Sequence, residues 1–403
     1  MFVKFNNRKR KKGIRIIFGT SFVLLFIILV VSILFFVEYI PTKKSPEFLF
    51  RRYQENSEVP LKKCEDALVE YYTYKNVSAQ DYKNNKFGLY IYAENRKFIQ
   101  MASEMVNSNG GAWGYVLIPY NVKDYDTRKW RGVFSLLLEE KLIPVIQLYD
   151  VDADKYKKQT QKAAEFLDSF LWPIKQRYIS VYNEPNDAKF WKGYTDASEY
   201  AKILDYTIDV FKEQNSNFFM MNGAFNISAP TGGGYVDALD FMRQMNAAVP
   251  GIFTRLDGWA SHPYPQPNFS GSPHTVGRNG IRAYETELSF LRREMGVEKD
   301  LPVFITETGW AHAEGAIYDS SFLSAEAVAS YIRVAYEDYW LGDDRVQAVM
   351  PFTIWYPPPF DHFSWVKKDY TSYPQYDAIK SMRKISGTPE ELIIKTYSKG
   401  ECD

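Results

Sequence analysis

The 403-residue chain holds four histidines and two cysteines, carries no net charge, and shows no low-complexity segment or repeat longer than a strand–helix unit. Each scarcity removes a class of chemistry. His262, His274, His312 and His362 fall at no spacing that metal ligation uses. No Gly-x-Ser-x-Gly run supplies a serine nucleophile. Gly232-Gly233-Gly234 lacks a following Lys-Ser/Thr, so it cradles no phosphate and reads as a flexible loop over a cleft. Asp150, Asp152 and Asp154 imitate a calcium loop, but Lys155 stands where such a loop needs glycine and Gln161 where it needs glutamate. Asp152 or Asp154 is expected to cap the next helix instead. Neither a metal nor a cofactor is expected.

The neutral balance hides an asymmetry. Residues 1–15 carry seven Lys or Arg and no acid, leaving 42 basic residues against 49 acidic ones in the rest. A mildly acidic main body offers nothing to phosphate backbones, which argues against a nucleic-acid partner. Residues 16–37 are uncharged, and as a helix they would span about 33 Å, enough for a bilayer core. Basic residues ahead of the span place the N-terminus in the cytoplasm and the remainder outside. The run exceeds the h-region of a signal peptide, and Phe35-Phe36-Val37-Glu38-Tyr39 lacks a small-residue cleavage site, so an uncleaved membrane anchor is expected. Cys64 and Cys402 flank the region that follows; outside a membrane they could pair, and the alternative is two unpaired thiols at the chain ends.

Aromatics are plentiful, 17% of the chain with nine Trp and thirty Tyr. Such rings stack on pyranose C–H faces, although a biased composition gives the same count. Residues 38–85 read as a polar stalk, with a helix near 61–74 from Leu61, Cys64, Leu68 and Tyr71/Tyr72. From residue 86 strands and helices alternate. Strands are expected at 87–92, 113–118, 143–148, 178–181, 218–221, 256–260, 303–306 and 346–353. Helices are expected at 96–106, 130–140, 155–170, 197–214, 236–247, 281–294, 325–340 and 376–385. Eight such units over 86–386, followed by a tail at 387–403, predict an α/β chain folded as a (β/α)8 barrel behind a single transmembrane helix. A doubly wound open sheet is the alternative. It calls for a Gly-rich turn after the first strand, where Tyr92-Ala93-Glu94-Asn95 stands.

Two glutamates end strands of this barrel. Glu184 lies in Val181-Tyr182-Asn183-Glu184-Pro185-Asn186 after the fourth strand, and Glu307 in Phe304-Ile305-Thr306-Glu307-Thr308-Gly309-Trp310 after the seventh. Barrel enzymes build their sites at the C-terminal strand ends. Paired carboxyls in different protonation states break glycosidic bonds, and a separation of about 5–5.5 Å suits retention of configuration. The same ends contribute Asn183, His262 and Tyr264 in Ser261-His262-Pro263-Tyr264, Trp310, and Trp355 in Phe352-Thr353-Ile354-Trp355-Tyr356. His262 is either a site residue or a satisfied core histidine. A phenol such as Tyr264 favours the ionised form of Glu307. Trp191, Tyr194, Tyr235, Trp310 and Tyr356 lie on loops where sugar platforms would sit. Sequons at Asn76, Asn226 and Asn268 matter only in a glycosylating host.

Over 86–386 this pattern resembles the retaining (β/α)8 glycoside hydrolases of clan A, families 39 and 5 nearest. The resemblance implies Glu184 as acid/base, Glu307 as nucleophile, Asn183 on the sugar 2-hydroxyl, Tyr264 bonded to the nucleophile and Trp355 under the sugar. Family 5 usually has an Arg near the first strands and a His after the third; here Tyr90 and Tyr92, and Gln147 and Tyr149, occupy those ends. The expected function is a membrane-anchored, extracytoplasmic retaining glycoside hydrolase acting on a poly- or oligosaccharide. A catalytically silent carbohydrate-binding barrel and a transglycosylase using the same glutamates are the alternatives.

Overall fold

The computed structural model describes residues 69–93 and 95–397. The basic tail, the uncharged span at 16–37, Cys64 and Cys402 lie outside the described residues. Among the described residues no helix is long and apolar enough to cross a membrane.

Strand β1 (Val69–Tyr74) opens the described chain. Strands and helices then alternate: β2 (Gly88–Tyr90), α1 (Arg96–Val106), β3 (Gly114–Asn121), α2 (Thr127–Glu139), β4 (Leu142–Tyr149), α3 (Tyr156–Asp168), β5 (Arg177–Val181), α4 (Ala197–Gln214), β6 (Phe218–Asn222), α5 (Ala238–Ala248), β7 (Trp259–Ser261), α6 (Ala283–Glu294), β8 (Val303–Ile305), α7 (Ala325–Val334), β9 (Val346–Val349), α8 (Pro374–Ser381) and β10 (Leu392–Tyr397). β2 to β6 pair in parallel in sequence order, and so do β7 to β9. Parallel bridges Met221–Gly258 and Phe87–Val349 join the two runs at both seams. The eight strands therefore close into a ring, and the open doubly wound sheet is excluded.

Local chemistry sets most element starts. Asn95 caps α1 by accepting from the Lys97 and Phe98 N–H groups, and Asp126, Asp196, Asp237 and Ser324 do the same for α2, α4, α5 and α7. The expected cap on α3 is different. Lys155 holds the cap position with no side-chain bond. Asp152 instead exchanges two hydrogen bonds with Gln159 and pairs with Lys123, because the loop turns its carboxylate toward them.

The chain ends correct the stalk. Val69–Tyr74 is a strand rather than part of a helix, since Leu392–Tyr397 lies antiparallel beside it. A helical reading of 61–74 counts only local spacing, whereas Tyr-Tyr-Thr-Tyr also suits a pleated strand once a partner 300 residues away supplies the ladder. The Leu392 N–H donates to the Pro173 carbonyl, the Lys175 N–H to the Glu390 carbonyl and the Tyr74 hydroxyl to the Trp172 carbonyl. These bonds tie the ribbon to the loop before β5, so the folded unit reaches past 86–386 at both ends.

Two apolar layers hold the ring. Between strands and helices lie Trp130, Trp172, Trp259, Trp340, Tyr200 and their neighbours. Inside the ring lie Tyr115, Leu117, Val145, Tyr178, Met221, Ala260, Phe304, Ala348 and Met350. Phe304 sits 4.9 Å from Tyr178, 5.7 Å from Phe219 and 6.3 Å from Tyr115, ring centre to ring centre. Bulk there forces smallness elsewhere. A Cβ on Gly88 would come within 2.6 Å of Met350 Cγ and 3.1 Å of Tyr115 Cβ. Phe304→Ala empties the middle of this layer and should destabilise the protein by about 3–5 kcal/mol. Urea unfolding measures it; a loss below about 1 kcal/mol would mean that the interior is not close-packed.

Candidate active site

β5 ends at Val181, and the next residues leave the strand along an unusual path. Tyr182 (φ 72°) and Glu184 (φ 37°) both occupy the left-handed region, which costs a non-glycine residue free energy. The neighbourhood holds them there. The Tyr200 hydroxyl donates to the Val181 carbonyl and accepts from the Gly223 N–H. The Glu184 N–H donates to the Ala224 carbonyl. Asn186 donates to the Asn226 and Val236 carbonyls and accepts from the Asn226 N–H. Glycine at 223 allows the approach, since a Cβ there would lie 2.7 Å from the Val181 carbonyl oxygen. Glu184 is thus fixed to the end of β6.

Glu307 follows β8. The Thr308 hydroxyl donates to the Pro263 carbonyl, and the Thr308 carbonyl accepts from the Phe352 N–H, so the β7 and β9 ends clamp it. Glu184 and Glu307 are 7% and 9% exposed.

His262 is fully enclosed and stands between them. Its Nδ1 lies 3.0 Å from Glu184 Oε1 and 3.9 Å from Glu307 Oε2. One nitrogen within reach of both carboxylates bounds those oxygens at roughly 7 Å apart, a range that includes the spacing of retaining glycosidases. The reading of His262 as a mere core residue gives way to this contact. Tyr264 donates its hydroxyl to Glu307 Oε2 at 3.0 Å, and its ring is boxed by Phe269 and Phe363. Gln147, at the end of β4, donates to Asn183 Oδ1 at 3.0 Å and tempers the rise of the Glu307 pKa.

The electrostatics follow from burial. Desolvation pushes Glu307 up to about 7; the His262 imidazole pulls it back, the Glu184 charge adds to the rise, and Tyr264 and Gln147 oppose it. The phenol does favour the ionised form, as expected, but it is outweighed. His262 is pulled down by burial and held above its ordinary value by the facing carboxylates of Glu307 and Glu184.

Of the expected site residues, Asn183, Glu184, His262, Tyr264 and Glu307 come together. Trp310 does not offer a sugar-binding face. It is 2% exposed, with its indole N–H donating to the Gly271 carbonyl. Trp191 is likewise buried, bonded to Glu199. Trp355 leans on Phe98 of α1 in a stacked pair at 6.2 Å. The aromatic surface nearest Glu307 is instead a set of tyrosines. Tyr90 and Tyr92 at the β2 end feel the Glu307 charge, and Tyr92 and Phe352 contact Tyr356. Their positions at the first strand end were readable from the sequence; their grouping was not. Gln147 was visible as a departure at the third strand end. Asp187, buried beside Glu184 and raised first by desolvation and then by that carboxylate, gave no signal.

Among the described residues no group of three or more His, Cys, Asp or Glu could hold a metal. A cavity of about 430 Å³ lined by Tyr82, Tyr115, Tyr178, Phe219 and Phe304 opens at the opposite, N-terminal end of the barrel, away from both glutamates.

A further buried acid stands behind the site. Glu287 of α6 accepts from the Ser261 hydroxyl and is pushed up to about 7 by burial. A folded-state value above the ordinary 4.5 means that the native protein holds a proton which the unfolded chain has lost. Stability contributed this way is present below about pH 4.5 and declines as pH rises toward 7. Glu287→Gln keeps the hydroxyl bond without the proton, so it should gain on the order of 1–3 kcal/mol over wild type on moving from pH 5 to pH 8. Urea unfolding at both pH values checks it, and a parallel response of the two proteins contradicts it.

No protein-family model matches the chain, and no curated protein matches it either. Among solved structures it is similar to a GH128 endo-β-1,3-glucanase from Pseudomonas viridiflava, with TM-score 0.49 and 15% identity, covering 74% of this chain and 97% of that one. It is also similar to a β-glucanase from Saccharophagus degradans in complex with cellotetraose (TM-score 0.47, 11% identity, 81% and 96% covered). A GH2 β-galacturonidase from Eisenbergiella tayi gives TM-score 0.49 at 10% identity, with 78% and 53% covered. These structural neighbours are glycoside hydrolases; none reaches a TM-score of 0.5, and none assigns a substrate to this chain.

Proposed function

We propose that the chain is a retaining glycoside hydrolase, held at the outer face of a membrane by residues 16–37, that acts on a poly- or oligosaccharide. The observation carrying this is the pair of buried glutamates from the β5 and β8 ends, both within 4 Å of His262 Nδ1. In the first step the Glu307 carboxylate attacks the anomeric carbon, the glycosidic C–O bond breaks, and Glu184 gives its proton to the leaving oxygen. In the second, Glu184 takes a proton from water while the water oxygen attacks the same carbon, and the ester bond to Glu307 breaks. Glu307 suits the nucleophile because a neutral donor, the Tyr264 hydroxyl, aims at it and favours its charged form. Glu184 suits the acid because it faces Glu307 from the other side of His262 Nδ1, where a leaving oxygen would sit opposite the attacking carboxylate. Asn183, its carbonyl oxygen engaged by Gln147, keeps its amide N–H groups for the sugar 2-hydroxyl. Tyr90, Tyr92 and Tyr356 would pack against the sugar.

The basic residues at 1–15 ahead of the uncharged span support a cytoplasmic N-terminus and an outward catalytic domain. Work on a polysaccharide at the cell surface follows from that placement.

The test is sugar release by the full chain from a polysaccharide panel, beside Glu307→Ala. Release by wild type that drops by at least about 10³-fold in the variant is expected. Release should also weaken as pH falls below about 7, where burial returns a proton to Glu307 and removes the charge with which it attacks. Glycan binding by both proteins with turnover by neither would favour a silent binding barrel.

A further inference from the structure

We propose that Asp187 and Tyr235 form the subsite for the leaving-group sugar, with the Asp187 carboxylate accepting hydrogen bonds from the hydroxyls of an uncharged saccharide. Such a subsite presupposes the glycosidase reading and extends it to the sugar that departs.

Asp187 is a buried acid that neither step of the mechanism uses. It is 3% exposed and lies three residues past Glu184, with its N–H donating to the Glu184 carbonyl at 2.9 Å. Its Oδ1 accepts from the Lys189 N–H at 2.8 Å. Among the described residues no donor reaches Oδ2. The Lys189 ammonium does not pair with it, because it rests over the Phe360 ring, 4.3 Å from the ring centre. A buried carboxylate oxygen without a donor is costly. A sugar hydroxyl supplies one.

The three consecutive glycines place Tyr235 beside this acid. Gly232, Gly233 and Gly234 have φ of 126°, 59° and 95°, a path that glycine follows at little cost. The turn folds back so that Tyr235 pairs with Asp187 in an antiparallel bridge. The Ala188 N–H donates to the Gly234 carbonyl, and the Val236 N–H to the Asn186 carbonyl. The half-buried Tyr235 phenol is held above its ordinary value by the Asp187 charge first, then by burial and by the Glu184 charge. The two acids also feel each other. Glu184 gives its proton to the leaving oxygen, so the departing sugar lies on the Glu184 side of the bond, where Asp187 and Tyr235 stand. A carboxylate or sulfate on that sugar would face two acids, which selects an uncharged one.

The experiment measures kcat/KM of the full chain for a neutral oligosaccharide that wild type cleaves, and for the 4-nitrophenyl glycoside of the same sugar. The second substrate puts a ring without hydroxyls in the leaving position. Asp187→Asn, which keeps an oxygen for the Lys189 N–H, should lower the ratio of oligosaccharide to nitrophenyl kcat/KM by about 10–100-fold. Tyr235→Phe should lower the same ratio by a smaller factor. Circular dichroism checks that both variants fold; should Asp187→Asn fail to, Tyr235→Phe decides alone. An unchanged ratio, with both substrates losing equally or neither losing, overturns the proposal, as does a wild-type preference for a uronic acid in the leaving position. Turnover of no glycan and no nitrophenyl glycoside by wild type overturns the glycosidase reading itself, and the subsite with it.

Discussion

Two largely buried carboxyl groups share one imidazole, and the rest of the upper barrel is arranged around that constraint. Ionising both acids there is costly, because each charge loses hydration and repels the other. His262 Nδ1 faces Glu184 and Glu307 together and offsets part of the cost. The turn at Tyr182–Glu184 is strained in the direction that aims Glu184 at the same point. Hydrogen bonds of Tyr200, Gly223 and Asn186 hold that turn in place. A proton that stays on the pair near neutrality is the consequence, and acid–base chemistry is what such a proton is suited to.

Below this layer aromatic rings share the barrel interior with aliphatic side chains such as Leu117, Ile143 and Val145. Tyr115, Tyr178, Phe219 and Phe304 pack edge to face and tilted. The cavity at the far end is separated from the glutamates by these rings. Glu287 extends the theme outward: a second acid kept protonated by burial, bonded to the residue that precedes His262.

The eight strand–helix units were legible because alternation and strand-end residues are local signals. Ala197–Gln214 falls at 197–214 as the alternation predicts, to the residue. Glu184 and Glu307 were legible for the same reason, each directly following a short apolar strand. What escaped was set by distance. The ribbon of β1 and β10 depends on partners at the two chain ends, and a helical spacing near residue 71 concealed it. Trp310 and Trp191 sit on loops in the sequence, yet the fold turns both rings inward and satisfies their N–H groups. Tyr90 and Tyr92 gain a place beside Glu307 only when the ring closes through Phe87 and Val349. Gln147 bonds Asn183 across neighbouring strand ends, which no single stretch of sequence encodes.

The claim at the centre of this account is that Glu307 forms a covalent bond to the sugar. The most direct measurement is peptide mass mapping after incubation with activated 2-deoxy-2-fluoro glycosides of several pyranoses, which slow the second step and trap an ester. The account predicts one added glycosyl mass on the peptide carrying Glu307, absent in Glu307→Gln. A label on Glu184 or another residue, or steady turnover of the parent glycoside with no trapped ester, would contradict it.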